Sequence, residues 1–427
     1  MELTKYKLGD IADISVGFPF ESERFNEDGD GVRLVRGMNV SERMLRFGDE
    51  SRWWSDITEN LEPYFLKEND IVIGMDGSKV GKNFALIKQT DLPLLLVQRV
   101  ACIRAKKGFD QNYIWHYVSS PRFIEYVNTI KTGSAIPHIS GKQIGEFPIF
   151  VPPLPEQKKI ASVLSALDDK IALNKKMNQK LEAMAKRLYD YWFVQFDFPD
   201  KNGRPYKTTG GPMTYNPTLK REIPAGWEVS LVSDVIKPID RGISYTSENI
   251  KDSSGVPMIN LACFDKKGNY RTGELKFYSG EYDASNKVYP LDMLIACTDL
   301  TQKADIIGTP IFLSAEAPFY VFSTDLAKIT PKKESHKYFL YYYLKNPTFH
   351  RYIKPFASGT TVKHLNVKGV ENYPIFIPDE KVVKQFTESV RPMVIAINER
   401  INEINRLTAL RDKLLPLLMN GQVVVAR

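Results

Sequence analysis

Residues 77–83 read Gly-Ser-Lys-Val-Gly-Lys-Asn, a polar, basic and glycine-bearing run directly after the β-branched stretch Asp70–Gly74. A nucleotide-cradling loop needs four residues between Gly and Gly-Lys, then Ser or Thr for the metal. Here three intervene and Asn83 follows Lys82, so the requirement fails. Two readings stay open: a basic finger offering Ser78, Lys79, Lys82 and Asn83 as donors to phosphates or base edges, or a solvated hairpin loop. Cys297-Thr-Asp-Leu-Thr-Gln-Lys303 follows a similar strand further on, with different polar groups. His138 and His364 each lie between a Gly turn and a strand, set to bond either a phosphate or the local backbone. From polar loops near strand ends and Gly turns, the candidate contacts to a polyanionic partner are Arg33, Arg36, Ser78, Lys79, Lys82, Lys131, Ser134 and His138 in the first half. In the second half they are Thr298, Thr301, Gln302, Lys303, Thr360, Thr361, Lys363 and His364.

Catalytic constellations are missing. There is no Gly-x-Ser-x-Gly elbow, no dinucleotide-binding GxGxxG after a strand, and no Asn/Asp-Pro-Pro-Tyr of the kind an amino-methyltransferase uses on a flipped base. Pro152-Pro153 is followed by Leu154. Nothing assembles a nucleophile, a base and an orienting group. The five histidines and three cysteines show no metal-ligand spacing. Cys102, Cys263 and Cys297 are scattered and odd in number, which excludes a disulfide framework and fits buried thiols in a reducing cytoplasm. A net charge of +7 permits a polyanionic partner without requiring one. No apolar run approaches the ~18 residues of a membrane span, and the N-terminal residues lack a signal-peptide core.

The elements that must position these loops follow from an internal repeat. GSAIPHISGKQIGEFPIFVP at 133–152 aligns without a gap to GTTVKHLNVKGVENYPIFIP at 359–378, an offset of 226 residues, and pairs His138 with His364. Phe123 pairs with Phe349 and Tyr126 with Tyr352, while Asp70-Ile-Val-Ile matches Asp292-Met-Leu-Ile at a slightly smaller offset. After each block comes a long run with helical spacing. In the first, Ile160, Leu164, Leu167, Ile171, Leu181, Ala185, Leu188 and Trp192 share one face, interrupted by Asn174 and Asn178. Such a helix of about 35–40 residues, or ~55–60 Å, exceeds what one core supports and needs a partner along its length. The equivalent run in the second half, with Val390, Met393, Ile397, Leu407, Leu410 and Leu414, supplies it, ending at Pro416 with Asn420-Gly421 as a stop signal.

The expected organisation is an α+β (mixed α/β) tandem repeat: a globular domain over 1–152, a central long helix over 153–196, a Gly/Pro/Thr-rich linker over 197–225, a second globular domain over 226–378, and a C-terminal long helix over 379–421. Strands are expected at 32–36, 70–74, 94–104 and 147–151, with helical spacing over 113–130.

The repeat, the run FPIFVPPLPEQKKIASVLSALDDKI, the run RLYDYWFVQFDFP, the loop GSAIPHISGKQI and the C-terminal LRDKLLPLLMNGQV resemble the specificity subunits of type I restriction-modification systems across nearly the whole chain. The second copy departs from the pattern at Pro378-Asp-Glu-Lys381, which lacks the double proline and the Glu-Gln. The resemblance implies two target recognition domains, each reading half of a split DNA sequence, and two antiparallel helices that act as a ruler. It implies a non-catalytic chain with no cofactor of its own. Two DNA methyltransferase subunits would dock on it and bring S-adenosylmethionine. Restriction subunits would add ATP- and Mg-dependent translocation and cleavage. Elementary physics agrees with a rigid spacer, because half-site separation must follow the ~34 Å helical turn of DNA and a Gly/Ser linker could not hold it. Two rivals are a protein-binding coiled-coil scaffold and a stand-alone DNA-acting enzyme.

Overall fold

The computed structural model describes residues 2–133, 137–251, 254–265 and 268–425. It divides into two compact units, one of Met1–Asp169 with Thr408–Arg427 and one of Lys170–Leu407. Both divisions fall inside the long helices, Leu154–Tyr189 and Glu380–Met419, so each helix contributes to both units.

In the first unit Ala12–Val16, Val100–Ala105, Ile71–Gly74 and Phe84–Leu86 form an antiparallel sheet in that order. All four residues of Ile71–Gly74 are buried. Side chains alternate across a strand, and here Ile71 and Ile73 enter the core that includes the helices, while Val72 enters a second core on the other face. A three-stranded sheet of Trp53–Trp54, Val32–Val35 and Leu94–Leu96 supplies that second layer, with Arg33 opposite Leu94 in a parallel pair. The expected single strand over 94–104 is therefore two strands in different sheets, separated at Arg99, whose φ of +68° breaks the extended run. Helical spacing over 113–130 resolves into Gln111–Val118 and Pro121–Ile130, divided where Pro121 opens the second helix.

The second unit repeats the topology. Asp240–Arg241, Leu326–Ile329, Met293–Ala296 and Pro310–Phe312 form the antiparallel sheet in the same order. Met293 and Ile295 face the helical core while Leu294 and Ala296 face the other. The outer sheet has five strands, with Met258 opposite Val321 in the parallel pair. The first unit pairs its first strand with its last, Thr4 with Val151, and the second unit makes the matching pair with the strand Glu228–Leu231, Glu228 with Ile377.

The central helix begins one residue after Pro153, and Gln157 secures its start by donating Nε2 to the Pro152 carbonyl at 2.9 Å and accepting from the Asp110 amide at 2.9 Å. Val383, the equivalent position in the second copy, is buried instead, so apolar packing replaces that capping device. In the second unit the two helices run antiparallel: Lys170 and Asn174 both bond Glu403, and Asn178 Nδ2 donates to the Ile397 carbonyl at 3.3 Å. Asn174 and Asn178 are buried on the seam. In the first unit Arg411 of one helix donates to Asp168 of the other at 2.9 Å.

Two further expectations need correction. The C-terminal helix does not stop at Pro416 but continues to Met419. Leu415, Leu418 and Met419 bury themselves in the first unit's core, which offsets the hydrogen bond that Pro416 cannot make. Gly421, at φ +69°, ends the run. The segment 197–225 is not an unstructured linker. It holds the hairpin Met213–Asn216/Arg221–Pro224 and buries Phe198 and Ile223 among the aromatic residues of the second core.

Candidate nucleic-acid interface

The strand Ile71–Gly74 delivers the chain to a joint made of three backbone segments. Asp76 bridges His138, and His138 bridges Thr132 on its other side. The Ile139 amide donates to Met75 O at 3.0 Å, and the Met75 amide donates to Arg99 O at 2.9 Å. The second copy repeats each connection. Thr298 pairs His364, Ser358 pairs His364, the Leu365 amide donates to Cys297 O at 2.8 Å, and the Cys297 amide donates to Asp325 O at 2.7 Å. The loop then returns through a positive-φ glycine packed on a helix. A Cβ on Gly81 would lie 2.8 Å from Val127 Cγ1, and one on Gly308 3.0 Å from Ile353 Cγ2, Val127 and Ile353 being equivalent positions. Only glycine fits such a site. From the bridge to the return strand the second loop is longer: Asp76 to Phe84 spans 8 residues and Thr298 to Pro310 spans 12.

The side chains on this shared frame differ. In the first copy both Asp76 carboxylate oxygens are engaged, one by Arg99 Nη1 at 2.8 Å and one by His138 Nδ1. A carboxylate only accepts, so Nδ1 carries the proton. In the second copy Thr298 is buried opposite an exposed His364. The neighbouring Asp299 is buried and turned back into its own loop, accepting from the Thr301 amide at 2.7 Å and the Ile306 amide at 2.9 Å.

The family model of the type I restriction modification DNA specificity domain matches residues 2–183 and again 224–406. The chain belongs to this family. Among its relatives, the type I restriction enzyme MjaIX specificity subunit of Methanocaldococcus jannaschii is 28% identical over 336 residues, covering 78% of this chain and 74% of the relative. The EcoBI specificity subunit of Escherichia coli is 23% identical over 421 residues, covering 95% and 83%. The crystal structure of the type I restriction-modification system S subunit from M. genitalium shares the fold, with a TM-score of 0.62 at 15% identity over 98% of this chain and 96% of that one.

On the first specificity domain, Ser78, Lys79 and Lys82 are exposed on the loop after the bridge. Lys131 caps the helix Pro121–Ile130, one residue before Thr132 of the same joint. His138 is in the joint itself, and Ser134 lies outside the described residues. Arg33 stands on the outer sheet, in the strand Val32–Val35, and Arg36 directly follows that strand at the start of the turn Gly37–Asn39. Arg33 stacks over Phe47 at 4.7 Å and Trp53 at 5.5 Å, and Arg36 donates to the Glu50 carbonyl. Partial burial lowers the Arg36 pKa. Arg36 is nonetheless near the joint, because a Cβ on Gly74 would lie 3.6 Å from the neighbouring Gly37 carbonyl.

On the second specificity domain the structure gathers all eight candidates around the sheet of Thr298–Asp299, Lys363–Leu365 and Ala357–Ser358. Thr301, Gln302 and Lys303 are exposed in the loop, Gln302 Nε2 donates to Thr360 O across to the turn that carries Thr361, and Lys363 and His364 are in the middle strand. Thr298 is the exception in exposure, since its side chain is buried.

Sequence reasoning passed over Asp76, Arg99 and Asp299. Asp76 adjoins the quoted loop, but its partners are 62 and 23 residues away, so no local signal joins them. The three cysteines are free and buried, and burial pushes the thiols up, to about 12 for Cys102 and Cys297 and about 11 for Cys263. Among the described residues no group of three His, Cys, Asp or Glu is placed to hold a metal ion, and no helix is long and apolar enough to cross a membrane.

Proposed function

We propose that this chain is the DNA sequence-recognition subunit of a type I restriction-modification complex, reading a bipartite target with a fixed gap. One observation carries the reading: two domains keep the same backbone joint while changing its side chains and its loop length. A shared scaffold with altered polar groups is what two half-site readers of different sequence require. Base-edge contact belongs to the loops after Asp76 and Thr298, and phosphate contact to the basic residues beside the shared Gly turn. Two modification subunits dock on the chain, and restriction subunits through them. S-adenosylmethionine, ATP and Mg belong to those partners, the chain itself contributes no chemical step, and the complex works on cytoplasmic DNA. Exposed Leu173, Met177 and Met184, which share one face of the central helix, and Leu410, at the position equivalent to Met184, support protein docking.

The test is to map methylated adenines in DNA from cells expressing this chain with its cognate modification subunit. A single two-part motif with one gap length is expected. No new methylation, with the complex shown to form, would favour a protein-binding scaffold.

A further inference from the structure

We infer that Arg99 reads a guanine in the half-site of the first domain, and that position 99, with its counterpart Asp325, is a determinant of what each domain recognises. The inference rests on the proposed DNA-reading function and names the residue that performs it.

Arg99 is set at the turn between the outer sheet and the central sheet, at φ +68°, a conformation uncommon for a residue with a Cβ. Its carbonyl is fixed by the Met75 amide at 2.9 Å, so the backbone is held from the strand that feeds the candidate loop. Its side chain is 63% exposed, while Asp76, which grips it, is 21% exposed. Only Nη1 is bound to Asp76, and the other oxygen of that carboxylate is occupied by His138. A buttressed guanidinium loses little freedom when it binds. Its fixed fork matches the O6 and N7 acceptors of guanine in the major groove, the commonest specific arginine contact to DNA.

The second domain supplies the contrast. The Cys297 amide makes the equivalent bond to Asp325 O, so Asp325 occupies the Arg99 position with the opposite charge. Its carboxylate accepts from Ser323 Oγ at 3.3 Å. A carboxylate repels guanine O6 and N7 and accepts from the amino group of cytosine instead. The same backbone site thus carries opposite hydrogen-bonding character in the two domains.

The experiment uses the complex of this chain with its modification subunits and the motif obtained from methylation mapping. Each guanine of the motif is replaced in turn by 7-deazaguanine, which lacks the N7 acceptor, and duplex binding is measured. For the unsubstituted complex, one guanine in one half-site is expected to lose roughly 5- to 150-fold in affinity. Arg99→Gln should abolish that sensitivity, relax the base requirement at that position only, and leave the other half-site unchanged, whereas Arg99→Lys, which still donates to guanine O6 and N7, should keep part of it. A first-domain half-site with no N7-sensitive guanine would overturn the inference on the unsubstituted complex alone. So would equal weakening by Arg99→Gln across all bases, the mark of a phosphate contact. Absence of any two-part motif would instead sink the proposed function, so the two failures are distinguishable.

Discussion

Asp76 faces His138 across an antiparallel bridge, and Thr298 faces His364 across the same bridge in the second domain. The first pair is an ion-pair geometry tied to a third residue, Arg99, and the second holds a buried hydroxyl against an exposed imidazole. Asp76→Ala frees both Arg99 and His138. Because these groups are partly exposed, each lost contact costs about 1 kcal/mol. Affinity for the first half-site should therefore fall by roughly 5- to 30-fold. Competition binding with duplexes randomised in one half at a time checks this, and recognition of the second half should be untouched. Equal loss in both halves would mean that Asp76 serves folding rather than readout.

Lys79 and Lys82 are exposed on the loop that leaves the Asp76 bridge. Each phosphate contact contributes about 0.9 to the slope of log affinity against log salt. The doubly substituted Lys79→Ala, Lys82→Ala chain should lower that slope by about 1 to 2 while leaving the methylated motif the same. Titration of binding across a range of salt concentrations decides it, and an unchanged slope would remove both lysines from the interface.

The repeat, both long helices, the asparagines on their seam and the strands Val32–Val35, Ile71–Gly74 and Pro148–Val151 were legible in the sequence. Periodicity and a gapless 226-residue offset are carried by residues close together in the chain. Candidate loops were legible for the same reason, since glycine turns punctuate the polar runs. What escaped depends on long-range geometry. Asp76 becomes significant only when His138 and Arg99 are folded beside it. Pro416 reads as a helix end from local propensity alone, and the burial of Leu415, Leu418 and Met419 overrides it. The segment 197–225 reads as a linker because Phe198 and Ile223 reach the core without any apolar period.

His116 is buried against Arg43, Asp168 and Arg411, with its Nε2 at 3.1 Å from Ser165 Oγ. Burial outweighs the attraction of Asp168 and pushes the imidazole down to about 4. The folded pKa is below the unfolded value of about 6.5, so the unfolded chain binds the proton first. The stabilisation is complete above pH 6.5 and is lost as pH falls towards 4, at about 1.4 kcal/mol per unit across that window. Hydrogen exchange of Gln111–Val118 should accelerate between pH 6.5 and 4 after correction for the intrinsic rate. His116→Gln should flatten the dependence. A profile that stays steep in the variant would place the acid sensitivity elsewhere.

Asn174 and Asn178 fix the alignment of the two helices through Glu403 Oε2 at 2.9 Å and the Ile397 carbonyl at 3.3 Å. A buried polar residue on a helical seam specifies register at a cost in stability. Under the proposed function that register sets the gap between half-sites. One heptad inserted after Asp169 in the central helix, together with one inserted after Leu407 in the C-terminal helix, keeps the seam in phase and leaves the Asn174–Glu403 and Arg411–Asp168 contacts intact. It lengthens both helices by about 10 Å at ~1.5 Å per residue. With ~3.4 Å between successive base pairs, the gap should grow by about three base pairs while both half-sites keep their bases. Methylation mapping reads gap and bases together. An unchanged gap, in a complex shown to assemble and methylate, would show that the spacing is set by the domains and their partners rather than by these helices.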